Sequence, residues 1–104
     1  MNKKMFGLYV IINIDKNNKS YIGFTGQLKL LKNGSISNDR IRQHKHDLKH
    51  NKHTNIDLQQ DFNNNDRLIF QTIIIGTETQ CKKQELKMIK SGLYKYNKVG
   101  RKTL

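Results

Sequence analysis

The segments FGLYVIINI (residues 6–14) and SYIGFT (residues 20–25), joined by the polar turn DKNNK (residues 15–19), decide the fold. Side chains alternate between two faces along each segment, which is typical of β-strands. The apolar faces consist of Phe6, Leu8, Val10, Ile12 and Ile14 in the first segment and of Ile22 and Phe24 in the second. A hairpin must align these two faces, because a one-residue slip would turn one strand over. The aligned hairpin places Tyr9 and Tyr21 on the same face of the sheet.

The remaining sequence predicts three helices and a third strand. Residues 27–38 contain Asn33-Gly34-Ser35 and are typical of a loop. Ser37 or Asn38 can cap the helix that follows, and Thr79 can cap the last helix, which Gly92 ends. The predicted helices cover residues 39–49, 56–62 and about 80–90, and the third strand covers residues 68–75.

This element order, β-β-α-α-β-α, predicts an α/β (α+β) fold with a small three-stranded antiparallel or mixed sheet flanked by helices. The 104 residues suffice for a single domain, covering residues 1–104. Residues 98–104 form a basic C-terminal tail that we expect to be loose.

The charge balance indicates a polyanionic partner. Lysine and arginine number 20 against 8 acidic residues, which gives a net charge of +12. Nucleic acid, and DNA in particular, is the first expectation, and an acidic membrane surface is the second. No stretch approaches the roughly 20 apolar residues that span a membrane. Between the two partners we expect DNA and no membrane. Cys81 is the only cysteine and cannot form an internal disulfide, which favours a cytoplasmic location.

Two short motifs, Gly7-Leu8-Tyr9 and Tyr21-Ile22-Gly23, resemble the signature of the GIY-YIG nucleases, with leucine where isoleucine is usual. The resemblance extends over nearly the whole chain, through Arg40, His44, His53, Asn55, Glu85, Tyr96 and Asn97. It implies a three-stranded sheet flanked by helices and a metal-dependent DNA endonuclease. A separate DNA-binding domain is absent, so the chain resembles a stand-alone catalytic core of phage or mobile-element type, working in the host cytoplasm.

The resemblance also implies roles for individual residues. Tyr9 and Tyr21 line the active site, and one of them helps to activate the attacking water. Arg40 clamps the scissile phosphate, which suits its forked donors and permanent charge. His44 contacts the phosphate or relays a proton. Glu85 holds a single Mg²⁺, for which Mn²⁺ can substitute, with water and phosphate oxygens completing the coordination.

Further positions are candidates for contact with duplex DNA. They are Gly23, Lys45, Lys49, Lys52, His53 and Asn97. More residues separate Gly23 from Arg40 along the chain than we expect in compact members of the family, so residues 29–38 are predicted to be an inserted loop. One set of candidate residues implies one active site per chain. We expect a monomer in solution, and a dimer on DNA is an option for cutting both strands.

Each of these residues also has an ordinary structural interpretation. Tyrosine favours strands in any case, Arg40 and His44 can belong to a solvated basic helix face, and Glu85 can be an exposed helical glutamate. The four histidines, His44, His46, His50 and His53, lack a cysteine or carboxylate that would complete a zinc site. Two other functions are therefore kept open: a non-catalytic nucleic-acid-binding module of the same fold, and a generic basic interaction protein.

Overall fold

A computed structural model describes residues 5–97, and the predicted basic tail at 98–104 lies outside the described residues. The fold contains four strands, three α-helices and one short 3₁₀ turn at Ile14–Lys16. The elements are β1 (Met5–Asn13), β2 (Lys19–Leu30), β3 (Ile36–Asn38), α1 (Asp39–Lys49), α2 (Ile56–Asn63), β4 (Leu68–Gly76) and α3 (Glu78–Lys90). The α+β fold class is therefore confirmed.

The sheet has four strands in the order β3-β2-β1-β4, and every neighbouring pair is antiparallel. The prediction of three strands was wrong, because residues 29–30 and 36–38, which were expected to lie in a loop, belong to strands β2 and β3. Strand β2 continues to Leu30 and pairs with β3 between Leu28 and Asn38. Leu28 is buried there, so the apolar alternation continues past Gly26 and supports a strand.

The sheet is covered on both faces, which explains why β1 is buried on both sides. Leu8, Val10 and Ile22 pack against Cys81 of α3 on one face. Ile11 packs against Leu48 of α1, Leu58 of α2 and Tyr96 on the other face. The hairpin thus separates two hydrophobic layers, and the tyrosine face is the one that α1 and α2 cover.

The starts of helices α1 and α3 follow from local sequence. Asn38 caps α1, because its side-chain oxygen accepts a hydrogen bond from the backbone N–H of Ile41. The prediction of Thr79 as the cap of α3 was wrong. Thr77 caps that helix, and Gln80 completes a reciprocal capping box with it. The helix ends before Gly92, whose positive φ of 77° suits glycine.

A candidate active site on the tyrosine face

Tyr9 and Tyr21 converge on one face of the β1–β2 hairpin. Tyr9 lies opposite Gly23, and Tyr21 lies opposite Ile11. The centroids of the two tyrosine rings are 6.2 Å apart. Tyr9 is fully buried, whereas Tyr21 is half-buried and lines a cleft. The alignment of apolar faces therefore predicted the side-chain directions correctly.

Gly23 makes room for the ring of Tyr9 rather than for a ligand. A Cβ atom at position 23 would lie 2.4 Å from Cζ and 2.5 Å from the hydroxyl oxygen of Tyr9. The corresponding space beside Gly7 is filled in the same way, by the carbonyl oxygen of Ile74 and the side chain of Leu28. Both glycines of the sequence motif thus permit close packing inside the protein, and Gly23 itself is buried.

Helix α1 brings Arg40 and His44 to the tyrosines. The cap residue Asn38 also donates a hydrogen bond to the hydroxyl of Thr72 in β4, at 3.0 Å, so it ties the start of the helix to the sheet. Arg40 follows in the first turn and is exposed at the cleft. Its positive charge acts electrostatically on Tyr9, Tyr21 and His44.

His44 contacts both the tyrosines and a second histidine. Its Nε2 atom lies 2.6 Å from the hydroxyl oxygen of Tyr9, and its Nδ1 atom lies 2.7 Å from Nε2 of His53. The rings of His44 and His53 are stacked, with centroids 4.9 Å apart. Burial, together with the neighbouring His53 and Arg40, lowers the pKa of His44 to about 4. Burial likewise lowers the pKa of His53, so both rings are neutral at physiological pH.

The protein environment raises the pKa of both tyrosines. Burial raises the pKa of Tyr9, the neighbouring Tyr21 raises it further, and Arg40 opposes the rise. Burial also raises the pKa of Tyr21, which a hydrogen bond from Tyr9 and the charge of Arg40 partly offset. Neither phenol is therefore ionised at pH 7 by the protein alone.

Glu85 approaches the site from the other face of the sheet. It lies on α3, where Cys81 and Met88 of the same helix stripe pack into the core. Its half-buried carboxylate accepts a hydrogen bond from the backbone N–H of Phe24 in β2 and acts electrostatically on Tyr21. Burial raises the pKa of this carboxyl, and the charge of Lys82 opposes the rise. Glu85 therefore influences Tyr21 only through its charge, and it does not line the cleft that Tyr21 lines.

The cleft beside Tyr21 has a volume of about 640 Å³ and is lined mainly by polar side chains. Its walls come from β2, from α1 and from the segment that leads into α2. The lining residues are Tyr21, Arg40, Gln43, His44, Asp47, His53, Thr54, Asn55, Ile56 and Asp57. The sequence indicated neither Gln43 nor Asp47 as part of the site, because exposed polar residues of α1 carry no distinguishing signal.

The predicted DNA contacts fall into two groups. Lys45, Lys49 and Lys52 are exposed on or just after α1. Lys45 also makes a cation–π contact, with its Nζ 5.0 Å from the centroid of the Phe70 ring. Asn97 and His53 are engaged within the protein. The side-chain amide of Asn97 accepts from the backbone N–H of Ile22 at 2.9 Å and donates to its carbonyl oxygen at 3.0 Å. Asn97 therefore acts as a pairing group for the open edge of β2.

Tyr96, Asp61, Asn13 and Asp66 form a polar cluster next to the site that was not predicted from the sequence. The hydroxyl of Tyr96 donates to the carboxylate of Asp61 at 2.5 Å and accepts from the side-chain N–H of Asn13 at 3.0 Å. Asn13 also donates to Asp66. These contacts anchor the segment around Tyr96 against β1 and α2, which positions Asn97 at the β2 edge.

No group of three or more histidine, cysteine or acidic side chains within residues 5–97 is arranged to hold a metal ion. No helix in that range is long and apolar enough to cross a membrane. Comparison of the chain with protein-family models, with curated proteins and with solved structures gives no match. The interpretation of the site therefore depends on the chemistry of its own residues.

Proposed function

We propose that the chain is a metal-dependent endonuclease that hydrolyses phosphodiester bonds in DNA, as its resemblance to the GIY-YIG nucleases implies. The observation that carries the proposal is that Tyr21, Arg40 and His44 line one cleft, with the buried Tyr9 directly behind them in hydrogen-bond contact with His44. A net charge of +12 provides the attraction for the substrate.

Arg40 is the candidate phosphate-binding residue. It is exposed at the cleft and has no carboxylate partner among the ion pairs of residues 5–97. Arg42, two residues further along α1, forms an ion pair with Asp39. A guanidinium that is free to form two parallel hydrogen bonds is well suited to a phosphate and to the charge that develops on it during hydrolysis.

The tyrosines are the candidates for orienting and deprotonating the attacking water. Hydrolysis forms a bond from the water oxygen to phosphorus and breaks one phosphorus–oxygen ester bond; one water proton leaves to a base, and the departing oxygen gains a proton. Burial raises the pKa of both Tyr9 and Tyr21, so a phenol can serve as the base only when additional positive charge stabilises its ionised form. Arg40 supplies part of that charge.

Glu85 is the candidate ligand for Mg²⁺, with Mn²⁺ as a substitute. Its carboxylate is half-buried, and only one neighbouring lysine acts on it electrostatically. A single carboxylate can hold Mg²⁺ when water and phosphate oxygens complete the six positions. A bound divalent ion would supply positive charge to the phosphate and would favour ionisation of a nearby hydroxyl group.

The exposed side of α1 is the candidate surface for the DNA backbone. Arg42, Lys45, His46 and Lys49 line one depression along the helix, next to the cleft that contains Arg40. Contacts from such residues position a duplex without reading its sequence. The cleft and the depression share Gln43, so a strand bound in the cleft would pass close to this basic helix face.

A non-catalytic nucleic-acid-binding module is the second candidate function. The position of Glu85 favours it, because Glu85 lies outside the cleft and no second carboxylate joins it among residues 5–97. In that case the basic surface and Arg40 would bind DNA, and the tyrosines would pack the site without chemistry.

Plasmid cleavage separates these functions. We expect supercoiled plasmid to be nicked in Mg²⁺ and left intact in EDTA. The Glu85→Gln variant should retain DNA binding and lose cleavage. Glu78→Gln is the matched control, because Glu78 lies on the same helix and forms an exposed ion pair with Lys82. DNA binding without any cleavage by the wild type would support the module instead, and cleavage by Glu85→Gln at the wild-type rate would refute the metal assignment.

A further inference from the structure

A continuous row of hydrogen bonds runs from a backbone amide to the candidate catalytic tyrosine. The backbone N–H of Asn55 donates to Nδ1 of His53 at 3.0 Å. Nε2 of His53 lies 2.7 Å from Nδ1 of His44, and Nε2 of His44 lies 2.6 Å from the hydroxyl oxygen of Tyr9. All three links are at normal hydrogen-bond distances.

The backbone amide sets the direction of the whole row. A backbone N–H can only donate, so Nδ1 of His53 must be the unprotonated nitrogen. A neutral imidazole carries one proton, which places the proton of His53 on Nε2 and makes that atom a donor to His44. Nδ1 of His44 then accepts, and the proton of His44 lies on Nε2, facing Tyr9.

Every other arrangement of protons brings two N–H groups against each other. A proton on Nδ1 of His44 would face the N–H of His53, and a proton on Nδ1 of His53 would face the N–H of Asn55. Protonating either ring creates the same conflict. Burial is the largest influence on both rings and disfavours a positive charge on either of them, and Arg40 acts in the same direction. Asp47 favours protonation of both rings, but the pKa of each is lowered nonetheless.

We infer that His44 acts on Tyr9 as a fixed hydrogen-bond donor and does not accept its proton, and that His53 is the positioning residue that enforces this tautomer. The functional part of this inference depends on the proposed nuclease activity. It assigns His53 to the support of the site rather than to direct contact with phosphate.

The direction of the row decides where the proton of Tyr9 can go. The oxygen of Tyr9 accepts from His44, so its O–H points away from the histidines. The ring of Tyr21 lies 6.2 Å from that of Tyr9, centroid to centroid, and Tyr21 lines the cleft. A hydrogen bond from Tyr9 lowers the pKa of Tyr21. The donor from His44 and the guanidinium of Arg40 both stabilise negative charge on the oxygen of Tyr9. A proton that leaves Tyr9 therefore exits through Tyr21 and the cleft.

Nitrogen NMR on the wild-type protein without DNA tests the tautomers directly. Two-bond ¹⁵N–¹H spectra at pH 7 should show His44 and His53 both protonated on Nε2 and unprotonated on Nδ1. A spectrum that places the proton of His44 on Nδ1 would overturn the inference. This measurement needs no enzymatic activity, so its failure is distinct from a failure of the proposed function.

Two variants at position 53 test the positioning role. His53→Ala removes the donor to His44, whereas the side-chain N–H of His53→Gln has a similar reach and can replace it. We expect His53→Ala to give mixed tautomers at His44 and to lower kcat for nicking roughly 10-fold or more, as loss of an orienting partner commonly does, with KM changed less than about 2-fold. His53→Gln should restore most of kcat and the Nε2–H form of His44.

His50→Ala is the matched control, because His50 is exposed at the end of α1, lines neither the cleft nor the basic depression, and its ring contacts only His46 among the described aromatic pairs. It should leave both readouts unchanged. If His53→Ala keeps the His44 tautomer, or if His53→Gln performs no better than His53→Ala, the positioning role is refuted. A wild type with the expected tautomers and no cleavage would refute the proposed function while supporting the hydrogen-bond row.

Discussion

Acidification from pH 7.5 to pH 4 should destabilise the fold mainly through His44. The pKa of this buried histidine is lowered from 6.5 to about 4. Below pH 6.5 the unfolded chain binds a proton at this position, whereas the folded chain does not bind it until the pH reaches about 4. The unfolded state therefore becomes favoured as the pH falls through this window, and above pH 6.5 the effect vanishes.

The size of the loss follows from the shift. One pKa unit corresponds to roughly 1.4 kcal/mol, so the lowered pKa of His44 implies a loss of about 3 kcal/mol between pH 6.5 and pH 4. The pKa of His53 is also lowered, which acts in the same direction. A loss of this size is a large fraction of the roughly 5–15 kcal/mol that stabilises a typical domain.

Carboxylates do not account for a loss in the same pH window. Arg67 lowers the pKa of Asp15 to about 2, so the stability that this pair contributes is present above about pH 3.8 and disappears below it. Burial raises the pKa of Glu85 above its ordinary value. Protonation of that group therefore favours the folded state in acid and opposes the histidine effect slightly.

Urea unfolding followed by circular dichroism at pH 7.5 and pH 4 measures the loss. The comparison is made within each protein, so differences in absolute stability cancel. Wild type should lose about 3 kcal/mol on acidification, and His44→Gln, which cannot titrate, should lose much less. His46→Gln, at an exposed position of the same helix, should behave as wild type. Equal losses in wild type and His44→Gln would show that burial of His44 is not the cause.

Four further outcomes are expected. Arg40→Ala should lower the nicking rate roughly 10²-fold, as loss of one preorganised charge donor does. Arg42→Ala removes an exposed ion pair and should lower the nicking rate far less. Equal losses in the two variants would show that Arg40 is only part of a basic face. Gly23→Ala should lower the free energy of unfolding by about 1–3 kcal/mol through overpacking, because the added Cβ would overlap the ring of Tyr9. Gly26→Ala is the control: its Cβ would meet the ring edge of Phe6 at 3.1 Å. It should destabilise the fold less in the same urea titration. DNA affinity should fall roughly 10³-fold or more between 50 and 200 mM salt if six or more phosphates are contacted, and a flat salt dependence in a binding titration would argue against DNA. A time course should show nicked plasmid before linear plasmid, since one chain contains one set of site residues; linear product without a nicked intermediate, from protein that sedimentation shows to be monomeric on DNA, would contradict a single site.

Local sequence determined the hairpin, the helix bounds of α1 and the side of the sheet on which the tyrosines lie. The period of two along β1 and β2 assigns each side chain to a face, and this assignment involves only neighbouring residues. The start of α1 at Asp39 likewise follows from the adjacent cap, Asn38. These features were predictable because their causes lie within a few residues.

The position of Glu85 and the extent of the sheet were decided by tertiary structure. Strand β3 contains only Ile36, Ser37 and Asn38 and forms by pairing with the end of β2. A three-residue strand shows little periodicity of its own. Glu85 lies half-buried on α3. Its approach from the opposite side of the sheet depends on how α3 packs.

The roles of Gly23 and His53 also required the assembled fold. The space beside Gly23 is filled by Tyr9 from the paired strand, so the residue that looks like an opening for a ligand is a packing position. His53 and His44 are nine residues apart, and His44 meets Tyr9 across 35 residues of sequence. The direction of a hydrogen bond depends on which groups face each other at about 3 Å. Those distances cannot be predicted from the spacing of residues along the chain.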